Sequence, residues 1–246
     1  MNGIEGSEGG CPTMSVNDDD RLRGDNERRV ERMNVWIDLA GSTPDDDDHA
    51  HIRFVYYWIA YEAAYQNEHS KIEDGKEREK LHHRLAKRDR GRLQGILHAQ
   101  KKSIVSILAL RQAHPSFWNR WREDAGVRTR EEWERVFGER VGAAVEGLDE
   151  AIRSGIKNRI SGALDGLFRN LSVVRHQIVH GGSAGRRSRG RTQVTLGAKL
   201  LQAFIPCFRD SIESDIDQDW GEPPFPRVGS GPDEECPPPW LERRSQ

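Results

Sequence analysis

The chain is short of cysteine, of long apolar runs and of apolar–polar alternation, and each shortage removes a class of protein. Its three cysteines, Cys11, Cys207 and Cys236, form no close pair and no metal-ligand spacing, so neither a disulfide framework nor a zinc ribbon organises it. This usage fits a reducing cytosol, and a cytoplasmic location is expected. The strongest apolar run, Ile104 to Leu110, is interrupted by Ser106, and the opening MNGIEGSEGGCPT has neither a basic start nor an apolar stretch. No membrane span and no signal peptide are expected. Strict alternation is nearly absent, which leaves no segment that reads firmly as a strand. An excess of one charge is missing too: 38 basic against 40 acidic side chains leave −2 over 246 residues. Taken whole, that is not the charge of a nucleic-acid binder.

What is present reads as helix, because apolar residues recur at three and four. A first helix is expected from about Asn26 to Leu39, closed by Gly41 and Pro44, and a second after Asp45 to Asp48, running to about Asn67. Acidic residues suit the positive end of a helix, and four in a row read as a solvated helix start rather than a calcium loop. The charged stretch Lys71 to Arg92 leads into a third helix ending near Pro115. Shorter patches at Phe117 to Trp121 and Glu131 to Phe137 precede a long helix from about Val145 to Val179. A last one, about Gln193 to Ile216, is expected to kink or break at Pro206. Residues 1–25 are Gly-, Ser- and Asp-rich, and residues 219–246 carry Pro223, Pro224, Pro226, Pro232 and Pro237 to Pro239. Neither end buries enough apolar surface to offset its ordering entropy, so both are expected to be disordered around a helical domain at 26–218.

Counting charge by segment changes the meaning of −2. Residues 1–50 hold 5 basic and 13 acidic side chains, residues 209–246 hold 4 and 10, and residues 51–208 hold the other 29 and 17, a net +12. A basic core between acidic ends suits a polyanion partner whose surface the ends screen, or is simply a set of solvated helix faces.

In the long helix, Leu148, Ile152, Ile156, Ile160, Leu164, Leu167, Leu171, Val174 and Ile178 fall on one stripe, the core face. At about 100° per residue, Gly162, Gly166, Arg169, Val173, His176 and His180 share the opposite side. Each glycine costs about 1 kcal/mol in a helix interior. Two at one spacing point to a second backbone close by, from this chain or another copy, or to a tolerated outer face. Phe168, Ser172, Arg175 and Val179 flank the core stripe. Arg175 there needs an anion or an exit to water. Glu62, the single acidic residue between Phe54 and Tyr65, is the candidate partner, with a solvent-facing Glu62 as the alternative.

The segment Val174 to Gly182 gathers Arg175, His176 and His180 where two glycines end a helix. Cleaving RNA by its own 2′-hydroxyl needs a group that moves a proton and a cation for the phosphate. Histidine and arginine supply both without a metal. On an unbroken helix Arg175 and His180 point about 140° apart, so they converge only if the helix loosens at Gly181-Gly182 or if two copies share one cleft.

Arg175 to His180 matches the R-x(4)-H signature of the HEPN superfamily, and Arg-His-x-x-x-His-Gly-Gly most resembles its Apea-like branch. The segment Phe54 to Tyr65, FVYYWIAYEAAY, is similar to the Trp-Ile-Ala-aromatic helix of that branch. The resemblance covers roughly residues 30 to 215. It implies an all-α antiparallel bundle of four or five helices that forms a homodimer with both motifs in one cleft, and metal-independent endoribonuclease activity, often in stress or anti-phage defence. It makes Arg175 and His180 the catalytic pair, with His176 and Glu62 in supporting polar positions. No tyrosine follows His180, which disfavours the toxin branch silenced by nucleotidylation, and Lys71 to Arg92 has no counterpart in the short family core.

His176 and His180 also have the i, i+4 spacing of a zinc pair, but no HExxH glutamate and no third ligand accompany them, so neither metal nor cofactor is implied. Arg169 and the loop arginines Arg186, Arg187, Arg189 and Arg191 suit phosphates flanking a scissile bond, or merely solubilise a loop. Trp58, Trp118, Trp121 and Trp133 read as core or interface anchors. The expected activity is cleavage of RNA by a homodimer. The alternatives are a non-catalytic HEPN module that binds RNA or nucleotide within a larger system, and a helical interaction protein with no nucleic-acid role.

Overall fold

The computed structural model describes residues 18–67, 74–118, 127–180, 190–221 and 223. All their regular structure is helical, as the periodicity predicts: α1 (Asp18–Ser42), α2 (Ala50–Tyr65), α3 (Asp74–Arg88), α4 (Arg90–Ala99), α5 (Lys101–Leu108), a 3-10 turn (Arg111–Ala113), α6 (Pro115–Trp118), α7 (Arg130–Ser154), α8 (Lys157–Val179) and α9 (Arg191–Glu213). No helix among them is long and apolar enough to cross a membrane.

The core sits where α2, α8 and α9 meet, with α1 across α2 and α9, and α3 and α7 against α8. Phe54, Tyr61, Leu164, Phe168, Leu171, Phe204 and Phe208 are fully buried there. Each such side chain contributes about 1.5–3 kcal/mol by leaving water. Gly197 sets how closely α9 approaches. A Cβ at that position would lie 2.6 Å from Phe54 Cε2 and 3.3 Å from Leu171 Cδ2, so only glycine lets the three helices interlock.

Several expectations change. The helix expected at 145–179 is two. Gly155 adopts φ +61° and closes α7, and Ile156, counted in the core stripe, is 53% exposed as the residue before α8. The patch at Glu131 to Phe137 is instead the start of α7, where Thr129 Oγ1 accepts from Glu132 N at 3.2 Å and Glu132 Oε2 accepts from Thr129 N at 3.1 Å. Trp133 stacks on Phe137 beside that start, in a small apolar cluster of its own. The charged stretch after Lys71 contains α3, which buries Leu81, His82, Leu85 and Ala86, and the single third helix is α4, α5 and the 3-10 turn. Helix α9 continues through Pro206. Phe204, Ile205, Cys207 and Phe208 are buried on either side of it, and their packing outweighs the one hydrogen bond that proline removes.

Helix α1 starts at Asp18 rather than Asn26, with Asp25 and Asn26 buried. At the other end Trp220 and Pro223 are buried beyond the expected domain limit. Asn26 holds the first in place, its Nδ2 donating to Ile216 O and Gln218 O at 2.6 Å, and the second is held by Arg29. Its buried guanidinium donates to the carbonyls of Ala63, Ala64 and Gln66 at 2.9, 2.9 and 3.1 Å, the negative end of α2. It also donates to Asn67 Oδ1 at 2.9 Å and to the carbonyls of Trp220 and Gly221 at 3.3 and 2.8 Å. Burial lowers its pKa to about 10.

Much of the acidic charge counted at the chain ends therefore belongs to the folded body. Asp210 pairs with Arg92 at 2.7 Å and Asp215 with Arg88 at 3.5 Å. Residues 1–17 hold two acidic and no basic side chains, and residues 224–246 hold four acidic and three basic.

Candidate functional site

Helix α8 keeps its hydrogen bonding to its end, where His180 N donates to His176 O at 3.0 Å. The apolar stripe from Ile160 to Val174 fixes its rotation against the core, and that rotation decides where each functional side chain goes. Arg175 turns toward α2. Its Nη2 lies 3.2 Å from Glu62 Oε1, and the same oxygen accepts from Trp58 Nε1 at 2.7 Å. The expected Glu62–Arg175 partnership is thus present, with Glu62 20% and Arg175 39% exposed. His176 and His180 point outward with ring centroids 4.2 Å apart. No hydrogen bond joins Arg175 to His180 among the described residues, and the regular helix holds them on different sides. Arg169 lies on the exposed line of His176 and His180 and makes no ion pair among the described residues.

Arg186, Arg187 and Arg189 lie outside the described residues, as do Trp121 and the side chain of Trp118. Arg191 does not sit in a loop. It opens α9 and pairs with Asp48 at 2.6 Å, while Thr195 Oγ1 donates to Asp47 Oδ1 at 3.1 Å. Asp45 pairs with Arg53, and Asp46 accepts from the His49 backbone N–H at 2.9 Å. Hydrogen bonds from His49 hold Asp46 below the usual carboxylate range. The four aspartates are a docked start of α2 beside the positive end of α9, not only a solvated run.

Gly162 and Gly166 have no atom of the described residues within 4 Å of an added Cβ, so no other helix among them packs on these two positions. They lie instead over open grooves between α7 and α8.

One constellation lies outside the sequence reading. The fully buried His82 of α3 stands between Tyr61 of α2, whose hydroxyl is 2.9 Å from Nε2, and Asp165 of α8, whose Oδ1 is 2.5 Å from Nδ1. The assignment that satisfies all three has Nδ1–H donating to the carboxylate and the tyrosine hydroxyl donating to Nε2. Burial lowers the pKa of His82 although Asp165 opposes it, and burial pushes Tyr61 well above its usual value. The adjacent pair His82-His83 and the lone Asp165 amid apolar α8 were the available signals. The network reaches the candidate site through rings. Tyr61 packs edge-on against Trp58, with centroids 5.2 Å apart, and Trp58 holds Glu62.

Among the described residues no group of three or more His, Cys, Asp or Glu is placed to hold a metal ion. No family model, no curated protein and no solved structure matches the chain.

Proposed function

We propose that the protein is a metal-independent endoribonuclease of the HEPN type, its catalytic cleft completed by a second copy of the chain. The observation that carries the reading is the end of α8. There a guanidinium is held in place by Glu62 and Trp58, one residue before an exposed histidine pair at the helix terminus. In the proposed reaction a 2′-hydroxyl attacks the adjacent phosphorus and the P–O5′ bond breaks, leaving a 2′,3′-cyclic phosphate and a 5′-hydroxyl. His180 moves the proton, and Arg175 stabilises negative charge on the non-bridging oxygens. His176 packs on His180 and limits its rotamers.

Because Arg175 and His180 diverge in one chain, the cleft takes the arginine of one copy and the histidine of the other. The same divergence favours a second reading in which a single chain binds RNA without cutting it. The exposed line of Arg169, His176 and His180 along α8 supports an RNA partner under either. Purified protein is incubated with mixed RNA in EDTA and the product ends are mapped. Cyclic phosphate ends that vanish in Arg175→Ala and His180→Ala support the nuclease. Cleavage that needs added metal or survives both substitutions sinks it, and salt-dependent binding with no cleavage by wild type leaves the binding module.

A further inference from the structure

The groove between α7 and α8 carries a cavity of about 330 Å³ that plays no part in the chemistry above. Its floor is apolar and low, made by Leu108, Val141, Ala144 and Gly166. One wall is a hydrogen-bonded chain in which Arg140 Nη1 donates to Ser116 Oγ at 3.0 Å and Ser116 Oγ lies 2.8 Å from His114 Nδ1. The His114 ring is braced edge-on against Phe137 at 5.3 Å. The other wall is Arg169 and Asn170. Asn170 is only 5% exposed, and the hydrogen bond its side chain makes is a long donation of 3.5 Å to Ile107 O. A second cavity of about 220 Å³ continues the groove, sharing Leu108, Ala144 and Gly166.

Two arginines beside an apolar floor that includes an alanine and a glycine suit a ligand with a planar apolar body and a phosphate. Arginine forks match phosphate oxygens, and an alanine and a glycine leave room for a ring to lie flat. The volume is near the lower end for a small-molecule site and fits one nucleotide. Arg169 also shares its helix face with His176 and His180, about 16 Å from His180 at the helical rise. A strand lying along α8 would reach both within a few nucleotides, inside the footprint of ordinary single-strand grooves. We propose that this pocket holds one nucleotide of a single-stranded RNA, base on the floor and phosphate between Arg140 and Arg169, and so positions the strand relative to the end of α8. The inference rests on the reading of the chain as an RNA-binding protein.

The test separates binding from cleavage by using a fluorescein-labelled 2′-O-methyl RNA of mixed sequence, which lacks the attacking hydroxyl. Gly166→Leu fills the floor. Its Cβ enters open space and leucine is the better helix former, so Tm stays at or above wild type. Affinity falls about tenfold if a base that buries about 55 Å² of apolar surface there is displaced. Arg169→Ala weakens binding and lowers the slope of log K against log salt by about 0.7, one phosphate on a single strand. Wild-type affinity in both variants overturns the proposal. So does loss of 5′-AMP binding in Gly166→Leu with RNA affinity intact, because the pocket then serves a free nucleotide. RNA that binds through the pocket but is never cut by wild type refutes the nuclease reading and leaves the subsite standing.

Discussion

Replacing Glu62 separates the two bonds that meet on one of its oxygens. Glu62→Gln keeps an acceptor for Trp58 Nε1 and removes the charge facing Arg175, whereas Glu62→Ala removes both. The ion pair is 3.2 Å long but Arg175 is 39% exposed, so solvent screens it and its loss costs about 0.5–1 kcal/mol. The Trp58 bond is different. Trp58 is 3% exposed and its indole N–H reaches Glu62 at 2.7 Å. Orphaning a buried donor that faced a charged acceptor costs about 1–3 kcal/mol. Glu62→Ala should therefore be less stable than Glu62→Gln by about 1–2 kcal/mol. At roughly 2–4 °C per kcal/mol for a chain of this size, the two variants should melt about 2–8 °C apart.

Thermal and urea unfolding of the two variants, of Arg175→Ala and of the double variant Glu62→Ala/Arg175→Ala give the comparison. The cycle isolates the ion pair, and the Ala–Gln difference isolates the indole bond. If catalysis depends on where the guanidinium is held, Glu62→Gln also lowers RNA cleavage more than its stability loss explains. Equal melting of Glu62→Ala and Glu62→Gln would refute the argument that Trp58 anchors Glu62. A coupling energy near zero between Glu62 and Arg175 would refute the ion pair as a positioning device.

The Tyr61–His82–Asp165 network titrates in two directions. His82 is kept neutral by burial, so as pH falls through about 6.5 the unfolded chain takes up a proton that the fold refuses, and stability drops by up to about 1.4 kcal/mol per pH unit. Tyr61 is held protonated, so stability falls again as pH rises above about 10. Urea unfolding of His82→Phe against pH should lack the acid limb, and an acid limb as steep as wild type would assign it elsewhere. Ending the chain at residue 218 removes buried Trp220 and two carbonyls that Arg29 uses, a loss of about 3–5 kcal/mol. Ending it at residue 223 keeps both, and equal Tm for the two truncations would show that the clamp contributes nothing. Gly197→Ala forces a Cβ to 2.6 Å from Phe54 and should cost about 1–3 kcal/mol. Gly162→Ala, entering open space, should gain up to about 1 kcal/mol. Circular dichroism melts of the two decide whether glycine is needed at the first site alone.

The parts of this architecture legible in the sequence are those whose partners sit in the same periodic pattern. The apolar stripe of α8 predicts its buried face, and one carboxylate in an aromatic helix is enough to pair Glu62 with Arg175. Helix α3 was obscured because only Leu81, Leu85 and Ala86 stand out in a run dominated by charge. The break at Gly155 is silent because apolar spacing continues across it, and a left-handed glycine looks on paper like any other. The Tyr61–His82–Asp165 network joins residues 21 and 83 positions apart, a separation that no local pattern encodes. Charge was misplaced for a related reason. Composition reports how acidic an end is, but not that Asp210 and Asp215 are tied to arginines of the body.

Helix α8 joins these separate features through its rotation alone. Its stripe from Ile160 to Val174 locks it in the core, and from that setting Asp165 meets His82, Arg175 meets Glu62, and Arg169, His176 and His180 are left facing out. A slip of one residue turns every side chain by about 100°. It would turn one histidine toward the core, strand Arg175 and unmake the network in one step. The Tyr61–His82–Asp165 triad therefore contributes to the candidate site without touching it, by fixing α8 to α3 while the ring contact from Tyr61 to Trp58 fixes Glu62. A change at His82 should disturb the Arg175 side of the site before the exposed histidines. In Arg175 side-chain NMR, the Nε–H resonance should shift and broaden in His82→Phe while the His180 ring signals hold their positions. If the His180 signals move and Arg175 does not, the coupling runs along the helix end rather than through Tyr61 and Trp58.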